Sequence, residues 1–170
     1  MGVMEGIRWL DRDESRAWRG YSRMVALLDA RLARELTRET GLSYADYDVL
    51  SHLTEVAGGR LRLSELGRRL LWSKSRLSHH ATRMEQRGLV RREECDSDGR
   101  GAWVILTDVG QRAMEAAAPS HVASVRRHLI DRLSPEQLAA LTDITTNIIS
   151  HLTGAEGDQQ KRNPAAPDDD

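Results

Sequence analysis

Apolar residues recur at steps of three and four along most of the chain, the spacing of helices that are apolar on one side only. The two longest patterns of this kind occupy residues 13–39 and the stretch that follows Ser134. Residues 89–106 change to short alternating runs on either side of the polar turn DSDGRG, which predicts a β-hairpin. The expected fold is therefore mainly α-helical with a small β-sheet, and belongs to the α+β class.

Glycine and capping residues give the boundaries of the first two helices. Gly41 ends the first helix, because glycine readily adopts the left-handed conformation that terminates helices. Ser43 then caps a second helix that has Asp46 at its third position, a short version of the capping box. Gly58 and Gly59 end this second helix. The spacing predicts an inner side that consists of Tyr47, Leu50, Leu53 and Thr54.

A helix, a tight turn and another helix are predicted between Leu63 and Arg92. The first of the pair spans residues 64–71, and the second begins after the cap Ser73 and ends at Gly88. The inner side of the first consists of Leu66, Leu70 and Leu71, and that of the second consists of Leu77, Ala81 and Met84.

The outward side of this second helix combines short polar groups with long cations. Once the apolar row packs inward, helical geometry turns the opposite row toward solvent. A helix that enters a DNA groove requires this kind of surface. The outward row consists of Ser75, Arg76, His79 and Arg83.

The β-hairpin that follows this pair of helices is typical of a wing. Its strands are expected at residues 89–95 and 102–106. Alternation along the second strand places Val104 and Leu106 on one face, opposite Trp103 and Ile105 on the other.

The C-terminal third contains two more helical patterns. Thr107 is positioned to cap the first, and Pro119 is expected to kink or interrupt it. Ser134 and Pro135 begin the last helix as its cap and its first residue. Residues 154–170 are rich in Gly, Gln, Pro and Asp, and we expect them to be disordered.

Positive charge is concentrated in the central segment. Residues 60–92 contain ten Arg or Lys and two Glu, a net charge of +8, whereas the whole chain has a net charge of −1. An arginine-rich solvated surface is the simpler interpretation of such a segment. The coincident helix-turn-helix pattern favours neutralisation of DNA phosphates instead.

Size and composition exclude several protein classes. The 170 residues are enough for one domain with a substantial core. No signal peptide is recognisable, and no apolar run approaches the ~18 to 20 residues that a membrane span needs. We therefore expect a soluble cytoplasmic protein that does not bind a membrane. Cys95 is the single cysteine, which excludes an internal disulfide framework and a cysteine-based metal cage.

The sequence gives little support for a catalytic site or a metal site. Ser78 cannot use His79 or His80 as a base, because neighbouring helical residues do not face each other. No phosphate-binding loop or dinucleotide motif is present, so no cofactor is expected. His121 and His128 are seven residues apart without a carboxylate at ligand spacing, and we expect no metal.

Four motifs in this order resemble the MarR family of winged-helix transcription regulators. They are AW-x-x-Y in the first helix, G-L-S-x-x-D-Y-x-V-L, S-K-S-R-L-S-H-H-x-x-R-M-E-x-R-G-L-V, and D-G-R-G-A-W-V-I-L-T-x-x-G. The resemblance covers the chain from Trp18 to about Leu152.

The resemblance implies a homodimer that binds double-stranded DNA, with the first, fifth and sixth helices at the dimer interface. Its two recognition helices would enter successive major grooves of a pseudo-palindrome, about 10 base pairs apart. It divides the chain into an arm and dimerisation helix (1–40), a winged helix-turn-helix (41–107), dimerisation helices (108–153) and the tail. The DNA contacts that it implies are Ser73, Lys74, Ser75, Arg76, Ser78, His79, Arg83 and, at the wing tip, Arg100 held by Asp98.

Members of this family are often repressors that a small aromatic or phenolic ligand releases from DNA. The ligand lies between the dimer helices and the winged module, where Trp18, Tyr21 and His52 are the candidates here. Alternatively, Trp18 and Tyr21 are core residues of an amphipathic helix, and His52 is an ordinary core or surface histidine. Peroxide sensing does not transfer, because members with that role carry the cysteine near the first helix and not at the position of Cys95.

The sequence is compatible with two functions. The first is a sequence-specific regulator, more consistent with a repressor than with an activator. The second is a DNA-architectural winged-helix protein without sequence preference. Salt dependence and the preference over random DNA distinguish the two.

Overall fold

The structure, a computed structural model, describes residues 7–94 and 101–162, with side chains as far as residue 154. In these ranges the chain is mainly helical with one small antiparallel sheet, which confirms the predicted fold class. The helices are α1 (Arg12–Thr40), α2 (Tyr44–Thr54), α3 (Leu63–Leu70), α4 (Lys74–Gln86), α5 (Asp108–His128) and α6 (Pro135–Arg162). The strands are β1 (Arg60–Arg62), β2 (Val90–Glu94) and β3 (Ala102–Leu106).

Capping residues define the end of α1 and the start of α2 as the sequence predicts, but α2 ends at Thr54 and not at Gly58 and Gly59. Gly41 terminates α1 in the left-handed conformation, with φ of 72°. Ser43 and Asp46 form a reciprocal capping box at the start of α2. Thr54, however, is exposed at the last turn of α2, where its hydroxyl donates to the Ser51 carbonyl. Its predicted place on the inner side is therefore wrong, because Asp46, Val49, Leu50 and Leu53 form the buried row of α2 and Thr54 lies at the edge of that row.

The core lies within the winged module and is made largely of leucine. Residues from α2, α3, α4 and the sheet meet there with no solvent exposure. The inward rows predicted for α3 and α4 are buried apart from Leu71. The fully buried larger side chains include Leu50, Leu53, Leu66, Leu77, Met84 and Val104.

Leu71 does not face inward, because the chain turns sharply at this residue. It has a left-handed backbone with φ of 54°, and its side chain is 81% exposed. The amide of Trp72 donates to the Gly67 carbonyl at 2.9 Å and closes the turn. Trp72 packs against the core in place of Leu71.

The sheet has the strand order β1-β3-β2, so β3 is its central strand. Leu61 lies opposite Val104, and both are buried against the helices. Ile105, which alternation places on the face opposite Val104, is also buried. The reason is its pairing with Arg60 on one side and Arg91 on the other, because long side chains on edge strands cover a central position.

Thr107 connects the wing to α5 and caps that helix. Its hydroxyl donates to the Gly88 carbonyl at 2.6 Å and accepts from the Gly110 amide at 3.0 Å. Pro119 does not interrupt α5, which continues to His128. Pro119 and Glu115 are both exposed, so solvent can satisfy the carbonyl that loses its partner.

The chain divides into two compact units between Val125 and Arg126. In the second unit, Ser134 caps α6 by accepting from the Gln137 amide, as predicted. The expectation of a disordered tail from residue 154 is wrong for its first part, because α6 extends to Arg162. Residues 155–162 are mostly good helix formers, and the next proline in the sequence is Pro164.

Candidate nucleic-acid interface

Helix α4 places polar and basic side chains on one exposed face. Ser73 caps it by accepting from the Arg76 amide at 3.3 Å. Leu77, Ala81 and Met84 are buried, and this fixes the rotation of the helix about its axis. The residues of α4 predicted to contact DNA, and the cap Ser73, are exposed, except for Ser78, which is half-buried. The exposed set consists of Ser73, Lys74, Ser75, Arg76, His79 and Arg83.

Ion pairs separate the cations of the central segment into two groups. Arg68 and Arg69 pair with Glu65, and Arg92 pairs with Glu85 through Nε at 3.0 Å. In the part of the chain that the structure describes, no carboxylate lies within ion-pair distance of the basic residues on the exposed face of α4. Those residues are Lys74, Arg76 and Arg83. Cations without a carboxylate at ion-pair distance are therefore concentrated on α4, where Asp48 acts on Arg76 only at longer range.

Trp72 supports the N-terminal half of this face. The guanidinium carbon of Arg76 lies 4.1 Å from the centre of the indole ring. On its other side the ring meets His80 edge to face, with ring centres 5.3 Å apart. Cation–π stacking of this kind orients an arginine without removing its N–H donors.

A buried carboxylate on α2 reaches the C-terminal half of α4. Asp46 is 3% exposed, and its Oδ1 lies 3.1 Å from Nε2 of His80, which is 6% exposed. The His80 N–H is not aligned on that oxygen, so the contact is chiefly electrostatic. On the other edge of the ring, Nδ1 lies 3.0 Å from Nη2 of Arg83. The sequence reasoning missed this chain of contacts.

Arg87, just after α4, completes the surroundings of Asp46. Its Nη1 donates to Oδ2 at 2.7 Å, and its Nη2 donates to the Gly41 carbonyl at 3.3 Å. Burial would raise the pKa of Asp46, but the contact with His80 and the hydrogen bonds with Arg87 and Ser43 outweigh it and hold that pKa well below its usual range. Asp46 is therefore a carboxylate at neutral pH and joins the end of α1, the start of α2 and helix α4.

The wing carries a second association of arginine with tryptophan. Arg60 and Arg62 of β1 lie over the Trp103 ring of β3, 4.5 and 5.5 Å from its centre. Asp98 and Arg100, the residues predicted to act at the wing tip, and Cys95 lie outside the described residues.

A concave surface of about 370 Å³ lies between the start of α3 and the base of the wing. Three of its lining side chains are basic, and the indole of Trp72 forms part of its wall. The three basic residues are Arg62, Arg68 and Lys74.

The three residues predicted to line a ligand cleft do not form one cluster of contacts on this chain. Trp18 and Tyr21 stack with ring centres 6.0 Å apart on α1. They are 60% and 56% exposed, so the alternative that they are core residues of the single chain is wrong. His52 is half-buried on α2, with Nδ1 3.8 Å from Oε2 of Glu55.

A different aromatic cluster joins α2 to α5. The ring of His121 lies 4.4 Å from that of Tyr47 and 5.9 Å from that of Tyr44. Burial lowers the pKa of His121 and raises the pKa values of both tyrosines, so all three are uncharged at pH 7. Nδ1 of His121 is buried and has no hydrogen-bond partner among the described residues. The clustering of these residues depends on the packing of α5 against α2, which the sequence pattern does not reveal.

Two other kinds of site receive no structural support. Among the residues that the structure describes, no three His, Cys, Asp or Glu side chains are close enough together to hold a metal ion. Within the same ranges, no helix combines the length and the apolar character needed to cross a membrane.

Comparisons with known proteins all point to the same protein family. A model of the MarR family matches residues 40–101, which include the helix-turn-helix. AbsC, a MarR family transcriptional regulator from Streptomyces coelicolor, is 46% identical, and the match covers 87% of this chain and 99% of AbsC with a TM-score of 0.81. Sco3205, a MarR family regulator from the same organism solved in complex with DNA, is 40% identical over 87% of this chain and 92% of its own, with a TM-score of 0.82.

A more distant protein shares the fold. It is the organohalide-sensing regulator RdhR-CbdbA1625 in its 2,4-dichlorophenol-bound form, 17% identical over 89% of both chains with a TM-score of 0.72. The fold, the exposed basic helix and the identity with AbsC across nearly all of that protein lead to one conclusion: the chain belongs to the MarR family and is a DNA-binding transcriptional regulator, not an enzyme.

Proposed function

We propose that this protein is a homodimeric, sequence-specific repressor that binds a pseudo-palindromic operator through α4. The observation that carries the proposal is the exposed face of α4, where no carboxylate of the described residues lies within ion-pair distance of Lys74, Arg76 or Arg83, and Asp48 of α2 acts on Arg76 only at longer range. Unpaired cations on a rigidly held helix are available to DNA without first breaking an ion pair.

The spacing on α4 suits a major groove. Arg76 and Arg83 are seven residues apart, which is two helical turns or about 10 Å along the axis. An arginine fork can donate to both O6 and N7 of guanine, whereas Lys74 at the first turn is better suited to a phosphate. We assign base contacts to the two arginines and to His79, and contacts that fix the helix on the backbone to Ser73, Lys74, Ser75 and Ser78.

The wing extends this interface toward the neighbouring minor groove. Strands β2 and β3 lead to the tip, where we assign Arg100 to the minor groove and Asp98 to holding that arginine. A narrow minor groove has a strong negative potential that attracts arginine. Lys74, which lines the adjoining concave surface, is then available to the intervening phosphates.

The exposed apolar surface of the terminal helices supports homodimerisation. Residues 12–31 of α1 and the part of α6 whose side chains are described include no fully buried side chain. Large exposed hydrophobic side chains there include Trp18, Tyr21, Met24, Leu27, Ile144, Ile148, Ile149 and Leu152. Apolar surface on this scale marks an interaction site, and a second copy of the chain is the simplest partner. We therefore propose 1–40 and 108–153 as dimerisation segments that flank the winged module at 41–107.

Selection of bound sequences from random duplex DNA tests the DNA-binding proposal. A two-fold symmetric consensus with half-sites about 10 base pairs apart is the expected result. The selected duplex should bind at least a thousandfold tighter than random DNA at the same salt concentration. Tight, steeply salt-dependent binding without a consensus would instead support the architectural alternative.

Sedimentation equilibrium tests the dimer. We expect a dimer for the wild type and a lower dimer stability for Ile148→Asp, because a carboxylate placed in an apolar interface loses its hydration. Asp143→Asn changes an exposed residue of the same helix and serves as the control. A wild type that remains monomeric at micromolar concentration contradicts the proposal.

Repression and release by a ligand are separate parts of the proposal. A dimer that occupies promoter DNA blocks the polymerase, so transcription in vitro from a promoter that carries the selected site should decrease. A small aromatic effector is supported by the uncharged cluster of Tyr44, Tyr47 and His121, which offers ring faces and hydrogen-bonding groups to a phenol. Trp18, Tyr21 and His52 remain the other candidates for that site.

Thermal unfolding with a panel of phenols and aromatic acids tests the effector. A ligand at a hundred times its Kd stabilises the folded state by about 2.7 kcal/mol. A true effector should also lower operator affinity, and Tyr47→Leu should reduce both effects more than Tyr47→Phe. Stabilisation without any change in operator affinity would exclude that compound as the effector.

A further inference from the structure

We propose that His80 of α4 and Asp46 of α2 are positioning residues for Arg83. They hold the Arg83 guanidinium in one orientation and thereby set part of the base preference of the protein. The inference rests on the proposed function, because Arg83 is there assigned to a base edge. It adds two buried residues that do not themselves touch DNA.

His80 is an unusual residue for the place that it occupies. It lies on the buried side of α4 with Leu77, Ala81 and Met84, where an apolar side chain would pack without any polar group to satisfy. A buried imidazole needs partners for both ring nitrogens. Arg83 lies 3.0 Å from Nδ1 as a hydrogen-bond donor, and the Asp46 carboxylate lies 3.1 Å from Nε2 as a neighbouring charge that is not aligned for a hydrogen bond.

The chemistry of arginine assigns the direction of these contacts. A guanidinium has five N–H donors and no acceptor, so Nδ1 of His80 must accept from Arg83. The ring proton then lies on Nε2, the nitrogen that faces the Asp46 carboxylate. The carboxylate thus selects the tautomer, and the tautomer presents a lone pair to Arg83.

This arrangement restrains Arg83 and leaves it free to bind. One N–H is used by His80, and four remain for DNA. Arg83 has no carboxylate partner among the described residues, so its charge is not neutralised on the DNA-facing side. An arginine held in one orientation loses less conformational entropy on binding and discriminates better between donor and acceptor patterns of the bases.

Arg87 compensates the buried negative charge of Asp46. Its guanidinium pairs with Asp46 at 2.7 Å, so the buried carboxylate is compensated without Arg83. Arg83 therefore points away from Asp46, with the imidazole between them, and is not drawn into a direct buried ion pair.

Two substitutions at His80 separate its two contacts. Asparagine has its amide atoms at the δ position, where Nδ1 lies, and so retains an acceptor for Arg83. Glutamine has its amide atoms at the ε position, where Nε2 lies, and so retains a donor for Asp46. His80→Asn and His80→Gln are each compared with the wild type and with Arg83→Ala, and unfolding in urea checks that both are folded.

The measurement is the base preference at every operator position, obtained by selection from random DNA. The position at which Arg83→Ala loses preference identifies the base pair that Arg83 reads. We expect His80→Gln to lose roughly tenfold of the preference at that position alone, and His80→Asn to retain most of it. Retention by His80→Gln with loss by His80→Asn, or no change in either, overturns the inference.

Two further measurements test the inference even if one of the His80 variants is unstable. In an Arg83→Ala background, a change at His80 should have no additional effect on preference, and an additive effect overturns the inference. In the free wild-type protein, the imidazole ¹⁵N spectrum should report an unprotonated Nδ1 whose resonance moves in Arg83→Ala. A wild type without any consensus overturns the proposed function, whereas a consensus that is insensitive to His80→Gln overturns this inference alone.

Discussion

The guanidinium carbon of Arg76 lies 4.1 Å above the ring of Trp72, in the turn that precedes α4. The same ring packs edge to face on His80, which contacts Arg83. Both arginines of the DNA-facing side are thus held by aromatic side chains that are themselves anchored in the core. The exposed face of α4 has a support beneath it, which extends from Trp72 to Asp46.

Loss of either supported arginine should weaken specific DNA binding without affecting folding. For Arg76→Ala and for Arg83→Ala we expect operator affinity to fall about fivefold to 150-fold, because a bidentate base contact is worth about 1–3 kcal/mol. Fluorescence anisotropy with the selected duplex measures the loss, and sedimentation checks the dimer. Arg12→Ala, at the start of α1, is the control and should bind like the wild type. Specific binding that survives both changes would mean that another face reads the DNA.

The tryptophan beneath Arg76 should matter for affinity as well as for packing. Trp72→Leu removes the cation–π contact, and we expect operator affinity to fall about threefold to fivefold, in line with 0.5–1 kcal/mol for such a contact. Trp72→Phe retains an aromatic face and should bind more tightly than Trp72→Leu. Equal affinities in these two variants would show that the ring does not orient Arg76.

The buried Asp46 carboxylate should make stability depend on pH. Its pKa in the folded protein lies below the value near 3.8 of an unperturbed carboxyl, so it stabilises the fold fully above that value and less as the pH falls below it. We expect Asp46→Asn to lower the free energy of unfolding by about 2 kcal/mol at pH 7, the range for hydrogen bonds to charged groups. Urea unfolding at pH 7, 5 and 3.5 should show this difference shrinking toward the lowest pH.

The exposed Asp143 provides the matched control for this experiment. Asp143→Asn should unfold like the wild type at all three pH values. A difference between wild type and Asp46→Asn that stays constant from pH 7 to 3.5 would mean that the charge of Asp46 does not contribute to stability.

Gly110 should not tolerate a side chain. A Cβ there would lie 2.1 Å from the Leu89 carbonyl oxygen and 2.9 Å from a methyl group of Leu106, and backbone atoms cannot move aside as a flexible side chain can. We expect Gly110→Ala to destabilise the fold by about 3 kcal/mol or more. At Gly20, also within a helix, nothing on the chain lies within 4 Å of the added methyl group. Gly20→Ala should therefore be neutral or stabilising by up to about 1 kcal/mol, and equal effects at both sites would contradict the close packing of α5 on the wing.

The sequence alone determined the helices, the wing and the outward face of α4. These features depend on residues that are close in sequence: Gly41 and Ser43 cap their own helices, and the inward row of α4 repeats every three or four residues. Local periodicity and capping therefore identify them without knowledge of the fold. The errors fall at the ends of elements, as at Leu71, where the requirements of the next turn override helical spacing.

Only the tertiary structure decided how that face is supported. Asp46 precedes Arg87 by 41 residues, and nothing in the local pattern of either one predicts the other as its partner. In the sequence, Asp46 is explained by its role in the capping box of α2. Helical spacing places His80 on the buried side of α4 but does not indicate which residues its ring nitrogens contact. Folding brings α2 under α4, and desolvation then requires each buried polar group to find a partner. That requirement joins Asp46, His80 and Arg83, and it acts only where elements distant in sequence meet.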